Sequence, residues 1–245
     1  MDKLLQAAQT VVDVPLRYLS AGSNMAIAAL AGAKQFEVWR HYPARDAVDT
    51  EHRTRFFYHA HACNNPLPNE HGHFHLFVYF PDEKAGATRA ENFSHLVGLA
   101  LDDKGQPLRW FTTNRWVTAE TWRPAKDLLA VLPDLQFSAK GRLAPVAQWL
   151  TAMLTLYRPQ IVALLLERDA RLAREIELLS ALKKQRHGQE QEQVREPEAK
   201  RYAEIVLDDR ELDVMSACSV SLSERVQEVI KSLNEVELEA RLKNI

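Results

Sequence analysis

The sequence has only two cysteines, Cys63 and Cys218, far apart and in no CxxC pair. No disulfide framework is implied, and a reducing compartment fits. Eight glycines leave little material for a nucleotide-cradling loop, and no Gly-rich phosphate motif, GxSxG or HExxH occurs. Positive charge is not in excess, with 31 Lys and Arg against 33 Asp and Glu. Nucleic-acid binders draw much of their affinity from neutralising phosphates, so this balance argues against such a partner. No apolar run approaches the roughly 20 residues that a membrane-spanning helix needs. The most apolar early stretch, Met25 to Ala33, is short and interrupted by Gly32. The start, Met1-Asp2-Lys3-Leu4-Leu5, lacks the apolar core and cleavage site of a secretory signal. The expectation is a cytoplasmic protein with no membrane contact.

The pattern along the chain predicts α+β. Leu4, Leu5, Ala8, Val11 and Val12 recur at helical spacing, and Pro15 and residues 20–23 break the run before a second short helix. Residues 36–122 read as β-rich, with extended segments at 37–39, 55–61, 71–80, 95–101 and 108–117. Asp102-Asp103-Lys104-Gly105-Gln106 has hairpin chemistry, and short turns imply an antiparallel sheet. Residues 123–187 return to helix, with Pro124 and Pro145 at first-turn positions and Pro159 preceding a long helix from Ile161 to about His187. A polar linker near 185–197 leads to helices over about 198–217 and 222–242, the second opening on the capping box Ser221-Leu222-Ser223-Glu224. The predicted fold is an antiparallel sheet flanked by helices, with a helical C-terminal region. Residues 1–142 form the α+β part and 143–245 the helical part.

Five of the nine histidines stand between positions 59 and 75. Strand side chains alternate faces, so His71, His73 and His75 are expected on one side, with Phe74, Leu76 and Val78 on the other. His59 and His61 share a face in the same way. If the two segments pair, one register brings both sets together, with Cβ atoms about 5 Å apart across the strands. His59, His61, His71, His73 and His75 are therefore the candidate metal ligands. Imidazole suits Zn, Cu, Fe or Ni, so the expected cofactor is a divalent transition metal. Glu70 or Glu91 could add an oxygen ligand. His95 shares parity with Val97 and Leu99 and reads as a core or strand-end residue. The plainer alternative is a solvated strand face decorated with histidines.

Two local resemblances offer different chemistry. The run His71-Gly72-His73-Phe74-His75-Leu76-Phe77 resembles the histidine-triad signature of nucleotidyl hydrolases and transferases. That resemblance implies His73 as nucleophile, positioned by His71 and His75; Gly72 departs from the bulkier residue usual there. The run His73-Phe74-His75 also resembles the His-hydrophobic-His motif of single-strand nicking enzymes. It implies a histidine-held metal, with Tyr157 as the analogue of the attacking tyrosine. Over most of its length the chain resembles a bacterial family of unknown function, through His41-Tyr42-Pro43-Ala44-Arg45-Asp46, the histidine block and Phe111-Thr112-Thr113-Asn114-Arg115-Trp116-Val117-Thr118. That family implies no activity.

Other residues carry weaker signals. Arg45, Asp46, Arg53 and Arg55 could meet an anionic small-molecule substrate, or be surface charge. Thr112, Asn114 and Trp116 could line a pocket. Cys63 could be a ligand or a reactive thiol. The long helix carries Leu164, Leu165, Leu172, Ile176, Leu179 and Leu182, which need cover. A homodimer through the C-terminal helices is the expectation, since two-fold dimers are the commonest assemblies. A non-catalytic assembly protein is the contrasting function.

Overall fold

The structure is a computed structural model and describes residues 2–61, 69–80, 92–187 and 196–242. It is α+β. Two N-terminal helices, α1 (Asp2–Ser20) and α2 (Met25–Ala29), precede five strands: β1 (Tyr42–Asp49), β2 (Thr54–His59), β3 (Glu70–Tyr79), β4 (Phe93–Asp102) and β5 (Pro107–Thr113). Helices α3 (Arg115–Thr118), α4 (Ala125–Val131), α5 (Ala144–Leu156), α6 (Arg158–His187) and α7 (Glu196–Leu207) follow, then β6 (Val214–Ser219) and α8 (Leu222–Leu242). The six strands form one antiparallel sheet in sequence order.

Several boundaries differ from expectation. Residues 37–39 are not a strand; β1 lies just after them, and its pattern is masked by Pro43, Arg45 and Asp46. Proline and charge are what an edge strand carries, because they discourage further pairing. The expected break at Pro15 does not occur, since Val11 and Val14 are buried and hold α1 in place. The strand expected to reach residue 117 stops at Thr113, where Asn114 caps α3. The helix expected over 198–217 divides into α7 and the edge strand β6. The loop at 102–106 is as expected: Asp102 Oδ1 accepts from the Lys104 and Gln106 amides, and Gly105 takes φ 77°.

One face of the sheet builds the core. Phe56, Tyr58, Phe74, Leu76, Val97, Leu99 and Trp110 pack there with residues of α1, α5 and the start of α6. Helices α5 and α6 meet at a 77° bend beside Pro159, and among the described residues no single helix is long and apolar enough to cross a membrane. Ile161, Leu164 and Leu165 of α6 are buried, while Leu178 and Leu182 remain exposed. The opposite face of the sheet carries Phe57, Phe77 and Phe93, and beside them the histidines.

Candidate metal centre

Strand register places the central histidines. His59 of β2 is directly opposite His73 of β3, and Phe57 is opposite His75. His73 and His75, two residues apart, share that face. The three rings form a triangle: His59 Nε2 is 2.8 Å from His73 Nε2, and one ring nitrogen from each of His59, His73 and His75 lies within 4.8 Å of the other two. All three side chains are buried.

Two β-bulges decide what joins them. On the β3–β4 ladder Leu76 is opposite Val97, yet Phe77 is opposite His95, so Leu96 is the extra residue. Leu96 and Val97 both enter the core, and the parity beyond them reverses. His95 therefore comes to the histidine face, contrary to the expectation that it follows Val97 and Leu99. Its Nε2 is 3.0 Å from His75 Nδ1, and its Nδ1 is 3.1 Å from Thr113 Oγ1. The second bulge opens β3: Glu70 is opposite Asp102, Gly72 is opposite Leu101, and His71 is extra. Here the expectation of one face for His71, His73 and His75 fails. His71 turns to the core side, with Nδ1 2.8 Å from Tyr58 Oη and its ring stacked on Phe36 at 4.5 Å. Glu70 takes the histidine side instead, its Oε1 2.5 Å from His73 Nδ1. Gly72 is required by this packing, because a Cβ there would lie 2.6 Å from the His59 carbonyl and 2.8 Å from the Tyr58 ring.

A segment ahead of β1 crosses this edge of the sheet. Besides Phe36 on His71, Trp39 stacks on His61 at 4.3 Å and His41 on Phe57 at 3.7 Å. His61 is half-buried, with ring centroids 4.9 Å from His59 and 5.0 Å from His73. It is near the triangle but not part of the close nitrogen group. Arg109 Nη2 is 3.4 Å from Glu70 Oε2, so the carboxylate is held from both sides.

Burial sets the charge of these groups. It pushes His59 down to about 2, with His73, His61 and His41 adding repulsion. His75 falls well below the usual imidazole range for the same cause. Burial takes His95 to about 3, with Arg168 contributing. Near neutral pH these rings are uncharged, each with one N–H and one lone pair. Glu120, whose Oε2 accepts the His95 backbone N–H, is pushed up by burial to about 8.

Residues 5–220 match the family described as Domain of unknown function (DUF6969). The chain belongs to this family. No curated protein and no solved structure matches it.

In this DUF6969 member the remaining sequence candidates lie elsewhere. Tyr157 is buried in the core beside Trp110, on the far side of the sheet from the histidines. Thr112 bonds Ser216; Asn114 donates to the Val206 carbonyl; Trp116 donates to the Leu212 carbonyl. These three tie β5 and α3 to the C-terminal region. Asp46 accepts from His41 and pairs with Arg55, whose guanidinium sits between Phe77 and Phe93. Cys63 and Glu91 lie outside the described residues. The sequence reading missed the roles of Arg109, Thr113, Glu120 and Trp39. The first two could have been found, since Arg109, Phe111 and Thr113 alternate on one strand face fixed by the 102–106 hairpin. For Glu120 and Trp39 the sequence holds no local signal.

Proposed function

We propose that this chain is a transition-metal-binding protein, with His59, His73 and His75 as ligands and a coordination position left for substrate. The contact between Glu70 and His73 carries this reading. A carboxylate at 2.5 Å fixes the proton of His73 on Nδ1, so Nε2 presents its lone pair. That lone pair faces His59 Nε2 at 2.8 Å. Two bare nitrogens this close repel, so a proton or a cation belongs between them. A proton satisfies one pair. A metal ion satisfies both and draws in His75, for a modest adjustment to bonds of about 2.0–2.1 Å.

The surroundings support a metal. Ligating histidines characteristically give their other N–H to a carboxylate, carbonyl or similar acceptor, which fixes ring orientation and raises basicity. Glu70 does this for His73. His95 Nε2 is the matching acceptor for His75 Nδ1–H, and Thr113 Oγ1 then accepts from His95 Nδ1–H. Neutral, buried rings are the form that binds. Three nitrogens suit Zn, Cu or Fe, and three protein ligands leave the open position typical of catalytic rather than structural sites. An ion there can polarise a bound water or carbonyl, so a metalloenzyme is the reading this geometry favours. Histidine-triad chemistry is less favoured, because His71 has turned away from His73.

The test is elemental analysis of protein purified without a polyhistidine tag. About one equivalent of metal per chain is expected, lost in His59→Ala and His73→Ala. Metal content unchanged in both variants, or no uptake of zinc, iron or copper, overturns the proposal.

A further inference from the structure

His61 stands beside the triangle without the anchor its neighbours have. His73 is held by Glu70, and His75 by His95. Among the described residues the His61 ring nitrogens make no hydrogen bond; its contacts are the edges of His59 and His73 and the face of Trp39. It follows the last residue of β2 by two positions, so the ladder does not fix it. An imidazole this close to a three-histidine centre is its natural fourth ligand, and a fourth protein ligand would close the site.

Trp39 accounts for its standing aside. The indole lies over the imidazole at 4.3 Å and 16°, close to parallel. It is placed there by its own backbone, whose N–H donates to the Ala60 carbonyl at 2.8 Å, one residue from His61. The same residue takes φ 67°, a left-handed conformation that a bulky aromatic side chain rarely adopts. Such backbone persists only where surrounding contacts over-determine it, and it clusters at working sites. Yet the indole is 63% exposed, so core packing does not explain its position.

Resting on the metal reading above, we infer that Trp39 is a positioning residue that stacks His61 aside and so keeps the fourth coordination position open to an exogenous ligand. Remove the indole, and His61 is free to swing in. A tethered ligand competes at an effective concentration of the order of millimolar or more, so it would outcompete a small anion from solution.

The experiment uses the full chain loaded with Co(II), whose visible bands report coordination number, and azide as the exogenous ligand. In the wild type, azide should shift the spectrum. In Trp39→Ala the bands should intensify towards a four-nitrogen site, and the azide requirement should rise by about tenfold or more. Trp39→Phe, which keeps a stacking face, should behave as wild type. Trp39→Ala combined with His61→Ala should recover the azide response. Because Trp39 is exposed, these variants should fold, and retained cobalt stoichiometry would show that they do. An azide response in Trp39→Ala equal to the wild type overturns the inference and leaves the metal centre standing. So does a wild type that ignores azide until His61 is removed. A wild type that takes up neither cobalt nor zinc, iron or copper removes both proposals together.

Discussion

The Nδ1 atom of His75 lies 3.0 Å from Nε2 of His95, across a β3–β4 pair whose register slips by one residue at Leu96. Without that slip His95 would follow Val97 into the core and His75 would have no partner from β4. With it, His75 is oriented by a ring that is not one of the three in the close nitrogen group. His95→Ala should therefore leave the three ligands present but weaken metal binding by about 10–100-fold, the usual effect of removing a ligand's orienting partner. Competition against a chromophoric chelator measures this. Affinity equal to wild type would show that the His75–His95 contact does not orient the ligand.

Glu70 should be more sensitive. Its loss frees the His73 tautomer and also leaves Arg109 without the carboxylate it faces. Glu70→Ala should lower metal affinity by about 10–100-fold, and Glu70→Gln by less, because the amide oxygen can still accept from Nδ1–H. The ranking is the readout. Equal affinities in the two variants and the wild type would contradict the assigned tautomer.

Gly98 tests the packing around the cluster. It is opposite His75, and a Cβ there would clash with the Phe111 ring. That ring touches His73 and His75, with centroids 5.3 and 5.8 Å away. Gly98→Ala should cost about 1–3 kcal/mol, as overpacking does, and should displace Phe111 against both histidines. Urea unfolding, with metal affinity measured alongside, checks it. A variant as stable as wild type would mean that Phe111 has room to move.

Much of this was legible in the residues, and what was not has a common cause. Alternation along 71–80 correctly separates His73 and His75 from Phe74 and Leu76, and pairing with β2 brings in His59. Parity arguments assume an unbroken ladder. The bulges at His71 and Leu96 each add one residue and so exchange Glu70 for His71 and bring in His95. Neither site carries a glycine at the extra position to announce it. Edge strands β1 and β6 escaped because charge and proline dilute the first, and the second pairs with β5 across about a hundred residues of chain. Trp39 reads as an ordinary strand aromatic until its stacking on His61 is seen.

Acid should unfold this protein early. An unfolded imidazole titrates near 6.5, whereas His59 is held down to about 2, His95 to about 3, and His75 well below the usual range. Between those values the unfolded chain binds more protons than the folded one. The stability these rings contribute is thus present above about 6.5 and lost as pH falls towards the folded values. Each ring adds a slope of up to about 1.4 kcal/mol per pH unit. The urea midpoint should drop steeply from about pH 7 to about pH 5, and a flat midpoint there would contradict neutral burial. Protons should compete for His59 and His75 at lower pH than for exposed histidines.

Glu120 has the opposite dependence. Burial raises its carboxyl to about 8, against the partial compensation of the His95 amide and the Arg168 charge. Its Oε1 has no hydrogen-bond partner among the described residues. From about 4.5, where the unfolded group titrates, up to about 8, the folded chain holds a proton that the unfolded chain has released. Stability therefore falls as pH rises through that window, and above it the native state carries a buried carboxylate. Glu120→Gln keeps an oxygen to accept the His95 N–H but develops no charge. The variant should match wild type near pH 5 and exceed it near pH 9 by an amount on the order of 3 kcal/mol. Urea midpoints at the two pH values separate this from a simple packing effect, which would shift both alike. If wild type is the more stable at the higher pH, the carboxylate is stabilised there, and a cation near the His95 end of the cluster becomes the explanation to pursue.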